Sequence, residues 1–574
     1  FTPNRAVAGA GRGRSLTPAL PSELQLQQQP APGGIARGTG SSRLVLWEIV
    51  VMTTFWKPGQ VAPGLALERG DEAAPLHDRR LSHLPLTQQR QALPVYRHRR
   101  SILYAVEKYR TVVLVGETGS GKTTQIPQYL HEAGWTKGDR TVACTQPRRI
   151  AAVTVAARVA QEMGCQLGAE VGYAVRFDAK CGPRTKLKFC TDGMLMREMM
   201  LDPLLSGYSA VMLDEAHERT IYNDVLFGLL KKVMRKRPDL RVIVASATLD
   251  PEQFRDFFET NRSKDRSRDT ATVMSIQGRQ HGVDVLYLER PAPNYIEAAV
   301  EAALSLHATQ GPGDILVFLP GAEEIDAAVE MIRERAPPPG RGQGRARGQG
   351  GAAPLQALPL YSALPVSAQM RVFEPAEGEV RRCVFATSVA ETSVTIEGVR
   401  YVVDPGLARL PWYDPATGLG ALLTTHASRA SARQRAGRAG RVAPGKCLRL
   451  MTEGDYFRAL PEFTVPEMQR TELSWVVLLL KALGIDNVLR FEFLSAPAAG
   501  AMARALELLY ALGALDEEGR LTDPVGQAMA ELPVEPRLAK LLVSSWGFGC
   551  VEEAVTLAGV LSVRNPFVDP SQAG

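Results

Sequence analysis

Gly116-Glu117-Thr118-Gly119-Ser120-Gly121-Lys122-Thr123 decides how this chain is read. The five residues before it, Thr-Val-Val-Leu-Val at 111–115, form a short apolar, β-branched run of the kind that makes a buried parallel strand. Thr124 opens a stretch, 124–131, with the composition of a helix start. Strand, glycine-rich turn ending in Lys-Thr, then helix is the arrangement of a phosphate-binding loop. The glycines let several backbone N–H groups point into one concavity at a helix N-terminus, which is where phosphate oxygens are held. Lys122 would add a point charge at the terminal phosphates, and the Thr123 hydroxyl could ligate Mg²⁺.

Working outward, Asp214-Glu215-Ala216-His217 closes the apolar run 210–213. A carboxylate at the tip of a buried strand downstream of a phosphate loop suits the holding of a metal through water, and Glu215 beside it is placed to deprotonate an attacking water. Ser246-Ala247-Thr248 follows the apolar run 242–245, and by itself would be read as a turn or helix cap. Gln434-Arg435-Ala436-Gly437-Arg438-Ala439-Gly440-Arg441 places arginines three apart. That spacing predicts one helix face, with small residues between that let a partner backbone come close. Arginines of this kind can stabilise charge on a transferring phosphoryl group.

Strand-like runs at 111–115, 141–145, 210–213 and 241–245 alternate with helical patterns, and a second series follows at 314–319, 382–386 and 401–404. Alternation of this sort predicts parallel sheets covered on both faces, hence an α/β chain with two such domains in tandem. Beyond residue 449 strand signals thin out and helical apolar spacing takes over at 473–483, 501–512 and 537–545. Residues 512–516 and 520–522 suggest a short hairpin behind a helix, the outline of a winged helix. Residues 1–85 read as disordered, and 1–51 as sequence upstream of a natural start at Met52. The Pro/Gly/Arg-rich stretch 337–351 reads as a surface loop.

With 45% hydrophobic and 22% charged residues in 574, the composition is that of a globular protein. A net charge of +6 permits an anionic partner without identifying one. Seven cysteines, an odd number without a C-x-x-C pair, argue for reduced thiols and against disulfides or zinc. No apolar run reaches membrane-spanning length.

Taken in order, GETGSGKT, TQPRRIAA at 145–152, TDGML at 191–195, DEAH at 214–217, SAT at 246–248, ATSVAETSVTI at 386–396 and QRAGRAGR resemble the DEAH-box RNA helicases of helicase superfamily two. The resemblance covers roughly 90–574, and Pro466-Glu467-Met468-Gln469-Arg470 is most similar to spliceosome-associated members. It implies two RecA-like domains at 86–262 and 270–450, a winged helix at 451–520 and the start of a helical ratchet domain at 521–574. It implies ATP held by Gly116, Glu117, Thr118, Gly119, Ser120, Gly121, Lys122, Thr123 and Thr124, with adenine between Arg158 and Phe373 and the ribose side near Thr395 and Glu397. Mg²⁺ would be served by Thr123, Asp214 and Glu215. Gln434, Arg438 and Arg441 would meet the γ-phosphate, while His217, Ser246 and Thr248 would couple hydrolysis to domain movement. RNA would be gripped through its phosphates by Arg148, Arg149, Thr191 and Thr387, largely without regard to sequence.

The family reading further implies 3′-to-5′ translocation, a monomer within a larger nuclear, spliceosomal complex, and a G-patch protein as activator. The alternative kept open is an ATP-clamped remodelling scaffold with little unwinding. Departures from the family pattern are few: Ser388 for Asn, Glu397 for Asp, and Pro320 and Ala322 for Thr and Gln. Because the family continues into an OB-fold, a chain ending at Gly574 is expected to hydrolyse ATP but unwind poorly.

Overall fold

The computed structural model describes residues 55–56, 85–117, 119–247, 251–263, 265–276, 281–336, 354–374, 380–391, 396–441 and 443–562. The expectations for 1–51, for Met52 and for the 337–351 loop lie outside these residues, as do Thr118, Thr248 and Thr395.

Strands with both faces covered need continuous apolar sequence, and Thr111–Gly116 and Tyr208–Leu213 are buried along their whole length. They belong to an eight-stranded sheet. Across it the order is Asp178–Lys180, Val171–Val175, Leu187–Thr191, Thr141–Gln146, Tyr208–Leu213, Arg241–Ser246, Thr111–Gly116 and Ala271–Ile276. Every pairing is parallel except the edge pair Val171–Val175 with Asp178–Lys180. Parallel strands demand crossover helices, and Lys122–Glu132, Arg149–Met163, Asp192–Leu201 and Ile221–Lys236 supply them.

The second sheet has seven strands. Their order is Phe55–Trp56, Val283–Leu288, Gly445–Arg449, Val399–Asp404, Asp314–Phe318, Arg381–Ala386 and Leu355–Leu360. Only its first pair is antiparallel. Each sheet with its helices makes one lobe. In both, connections at the carboxyl ends of the strands gather on one edge, which is where open α/β sheets bind ligands. A separate antiparallel hairpin, Leu407–Asp414 with Leu419–His426, extends from the second lobe, its returning strand exposed at every residue.

The row of arginines does not share a helix face. Its helix, Arg429–Gly437, ends before Arg438, which serves as the C-cap with Arg441 beyond it. Close approach by small residues does hold at Gly440, where a Cβ would stand 2.8 Å from the His281 carbonyl oxygen.

After Arg449 the chain is helical, with Ser474–Ala482, Ala499–Ala511, Val525–Glu531, Pro536–Phe548 and Val551–Leu561. A single antiparallel bridge, Leu515 to Leu521, makes the expected short hairpin behind a helix. Among the described residues this C-terminal module shares its main core with the first lobe, and Met451, Tyr456 and Leu460 pack with Tyr287 and Ala432 of the second. Met468, Val477, Leu509 and Met529 pack into the same buried cluster as Val113, Leu213, Phe227 and Phe254 of the first lobe. Glu492 adds ion pairs at 2.6 Å to Lys231 and Arg235 across that junction. The second lobe keeps separate cores on its two sheet faces.

Candidate active site

The turn after Thr111–Gly116 curls because Gly119 and Gly121 take left-handed φ of 86° and 91°. At Gly121 a side chain is excluded twice over, since a Cβ there would lie 2.9 Å from Leu93 Cδ1. Lys122 begins the following helix and is buried, its amine donating to the carbonyl oxygens of Gly116 at 2.5 Å and Glu117 at 2.9 Å. The Ser120 hydroxyl also donates to Glu117 O, at 2.7 Å. The lysine is thus held inside the loop by the loop's own backbone.

Thr123 Oγ1 donates to Asp214 Oδ2 at 2.5 Å, and Gln146 Nε2 donates to the same oxygen at 2.8 Å. The other oxygen, Oδ1, accepts from the Glu215 backbone N–H at 2.9 Å. A hydroxyl and a carboxylate beside a phosphate loop are hard oxygen donors, the set that Mg²⁺ takes, so these residues fit the ion implied by the sequence.

Glu215 sits at φ 52° and ψ 35°, the left-handed region that costs a non-glycine residue energy and marks a conformation imposed by its surroundings. Burial, and next the neighbouring Asp214, push its carboxyl up to about 8. His217 goes the other way, down to about 4, because burial disfavours the charged ring. Its Nδ1 accepts from the Ala247 N–H at 3.2 Å, so the hydrogen of the neutral ring is on Nε2, which lies 3.5 Å from Glu215 Oε2. Ser246 is buried at the end of its strand, directly before the residue that engages His217.

Across the cleft Arg438 and Arg441 approach this centre from the second lobe. Arg438 Nη2 donates to the Glu391 carbonyl oxygen. Burial and the neighbouring Arg441 hold Arg438 well below its ordinary value, against the pull of Glu215. Arg441 is lowered to about 10 by burial, with Glu215 again opposing. Lys122 is likewise pushed down by burial and supported by Glu215 and Asp214. Three cations from two lobes therefore converge on one carboxylate pair, each lowered by burial, an arrangement suited to a polyanion. Gln434 is half-buried on the helix that leads into Arg438.

Other expected residues are distributed differently. Thr191 ends the strand Leu187–Thr191 and Thr387 follows Arg381–Ala386, so both stand on the carboxyl edge of their sheets. Arg149 is exposed at the start of its helix. Arg148 spans the lobes, 3.7 Å from Glu218 Oε1 and donating to the Val389 carbonyl at 3.4 Å. Arg158 and Phe373 make no cation–ring contact. The arginine is engaged by Glu162 at 2.7 Å and Gln89 at 3.1 Å, while the half-buried ring packs against the second lobe's core. Glu397 exposes its side chain, and its carbonyl accepts from Arg382 at 2.7 Å.

Sequence reasoning missed Gln146, which fixes Asp214, and gave Arg435 no role apart from the shared helix face. The latter is a buried structural residue, paired with Asp404 at 2.8 Å and Glu391 at 3.0 Å. Gln146 could have been found from its place at the end of a buried strand next to the one that carries Asp214.

Comparison with known proteins gives matches along most of the chain. A family profile described as DEAD/DEAH box helicase matches residues 88–257, and one described as helicase conserved C-terminal domain matches 298–443. Profiles for the helicase associated domain (HA2) follow, winged-helix at 505–534 and ratchet-like at 535–574. A human protein named probable ATP-dependent RNA helicase DHX35 is 51% identical over 525 residues, covering 90% of this chain and 73% of that protein. The fission-yeast pre-mRNA-splicing factor ATP-dependent RNA helicase prp22 is 48% identical over 490 residues, 85% of this chain and 40% of its own length. Among solved structures, the Escherichia coli DEAH/RHA helicase HrpB superposes with a TM-score of 0.72 at 34% identity, over 83% of this chain and 57% of that one.

Proposed function

This chain belongs to the DEAH-box ATP-dependent RNA helicases, and we propose that it translocates 3′ to 5′ on RNA, driven by ATP hydrolysis in the cleft between its two lobes. The carrying observation is the convergence of Lys122 from the first lobe with Arg438 and Arg441 from the second on Glu215.

In this reading the phosphate loop and Lys122 bind the triphosphate. Thr123 and Asp214 hold Mg²⁺, which neutralises phosphate charge when bound. Glu215 takes the proton from the attacking water; burial makes its carboxylate a stronger base than a free one, and Lys122 and Arg438 favour the ionised form that must act. Its proton cannot pass to His217 Nε2, which already carries hydrogen, so His217 orients the carboxylate rather than relaying from it. Arg438 and Arg441 stabilise charge on the departing phosphoryl group, and because they belong to the other lobe, full catalysis requires closure. Closure in turn reaches RNA through Thr191 and Arg149 on one lobe and Thr387 on the other. Adenine stacking between Arg158 and Phe373 would require Arg158 to leave Glu162.

The process proposed is pre-mRNA splicing in the nucleus, with spliceosomal proteins and a G-patch activator as partners; the fission-yeast relative, named as a pre-mRNA-splicing factor, supports it. The test is ATP turnover with and without single-stranded RNA, alongside strand separation of duplexes carrying a 3′ or a 5′ overhang. RNA-stimulated turnover is expected, with slow separation confined to the 3′-tailed duplex. Preference for the 5′ tail would overturn the direction, and stimulated hydrolysis with no strand separation would favour the ATP-clamped scaffold.

A further inference from the structure

The turn that carries Glu215 is anchored at its far end by a residue that no part of the hydrolytic reading uses. Glu215 at φ 52° and Arg219 at φ 49° are both left-handed, and they bracket the 3₁₀ turn Ala216–Glu218. Backbone bonds from Glu218 N to Glu215 O at 2.9 Å and from Arg219 N to Ala216 O at 3.3 Å make the five residues one stiff unit. Two unfavourable backbone conformations in five residues persist only when held from outside. At the near end the hold is Asp214, which accepts from Glu215 N.

At the far end the hold comes from the first lobe and the C-terminal module together. The Arg219 guanidinium forms a two-pronged pair with the fully buried Asp224, at 2.7 and 2.9 Å. The same group donates to Ser495 Oγ at 2.8 Å, and Nη1 donates to Gln253 Oε1 at 3.2 Å. Its carbonyl oxygen accepts from the Glu467 N–H at 3.1 Å, while the Glu467 carboxylate accepts from the N–H of Ile221 at 3.0 Å. Gln469 Nε2 donates to Ala496 O at 3.0 Å, which ties the Glu467 turn to the Ser495 segment. The Pro466–Arg470 motif, singled out in the sequence, thus docks directly on the end of the acidic motif, and Tyr222 stacks on Trp475 beside it at 4.7 Å.

We propose that Arg219 is a positioning residue through which docking of the 467–495 region onto the first lobe sets the placement of the Glu215 carboxylate. The proposal rests on Glu215 being the base of the hydrolytic reaction. A purely structural Arg219 would stabilise the helix start at Asp224 and leave turnover by the folded protein alone. A positioning Arg219 acts on the chemical step, since small displacements of a reacting group are costly, while nucleotide binding by the phosphate loop is untouched.

The experiment measures kcat and KM for ATP on the whole chain, with active fraction counted by nucleotide titration and thermal melting recorded in parallel. The variants are Arg219→Lys, Ser495→Ala and their combination, with Glu215→Gln as control. Arg219→Lys is expected to lower kcat about tenfold with KM within about twofold, and Ser495→Ala to lower it about threefold. The combination is expected to be no worse than Arg219→Lys alone, because both act through one contact. An unchanged kcat, a change confined to KM, or multiplicative losses in the combination would overturn the proposal. Full turnover in Glu215→Gln would overturn the hydrolytic reading on which it stands, a result distinguishable from an inert Arg219→Lys beside a dead Glu215→Gln.

Discussion

Arg435 meets Asp404 at 2.8 Å inside the second lobe, with its guanidinium 5.0 Å over the centre of the Phe318 ring and a further pair to Glu391 at 3.0 Å. Three residues on, Arg438 donates to the Glu391 backbone carbonyl and feels the charge of Glu215 from the first lobe. Two arginines of one short motif therefore have opposite roles.

The first prediction separates them. Arg435→Ala leaves Asp404 buried without its partner and should cost roughly 3–5 kcal/mol, read by urea denaturation. Arg438→Ala removes a cation that faces Glu215 across the cleft and should cost clearly less stability than Arg435→Ala, while ATP turnover falls by about 10³-fold or more. Matching losses of stability in both variants would contradict the assignment.

Glu215→Gln keeps the shape of the base and removes its proton-accepting charge. Single-turnover hydrolysis should fall by about 10²- to 10⁴-fold. Nucleotide affinity, set by the phosphate loop and Lys122, should remain within a few-fold in a fluorescent-nucleotide titration.

Arg148 and Arg149 are neighbours with different surroundings, one spanning Glu218 and Val389 and the other exposed. Arg149→Ala should weaken single-stranded RNA binding and reduce the slope of log K against log salt by about 0.7, one phosphate contact. Arg148→Ala should leave that slope alone and reduce the RNA stimulation of ATP turnover. Identical salt slopes for the two variants would show that the lobe-spanning contact does not survive in the RNA complex.

Asp192 supplies a pH test. Burial pushes its carboxyl up to about 7, with Thr145 opposing and Glu218 and Asp214 adding to the rise. A carboxyl raised on folding contributes stability that is complete below its unfolded value near 4 and is lost as pH climbs through about 7. Asp192→Asn should therefore gain stability over the parent chain on going from pH 5 to pH 8, by on the order of 2–4 kcal/mol. Parallel pH–stability curves for the two proteins would refute it.

How legible this was in the sequence varied with the physics of each element. The strands at 111, 141, 208 and 241 are buried on both faces and announce themselves as apolar runs, as do those at 314, 381 and 399. The hairpin Leu407–Asp414 and Leu419–His426 went unread because its second strand is exposed throughout, so neither alternation nor a continuous apolar run marks it. Lys122, Asp214 and Glu215 were legible because phosphate chemistry fixes their spacing and strand context. The resemblance picked out Arg438, but the buried pairing of Arg435 was not legible, because it depends on where the helix stops.

The apolar cluster that joins Val113 and Phe227 to Met468, Val477 and Leu509 has a mechanical consequence. Pulling the C-terminal module off the first lobe would expose the interior of a single core, whereas its apolar contact with the second lobe is the small cluster of Tyr287, Ala432, Met451, Tyr456 and Leu460. The first lobe and residues 468–539 thus form one mechanical body, and the second lobe, inserted between them in sequence, is joined to it by a far smaller apolar seam.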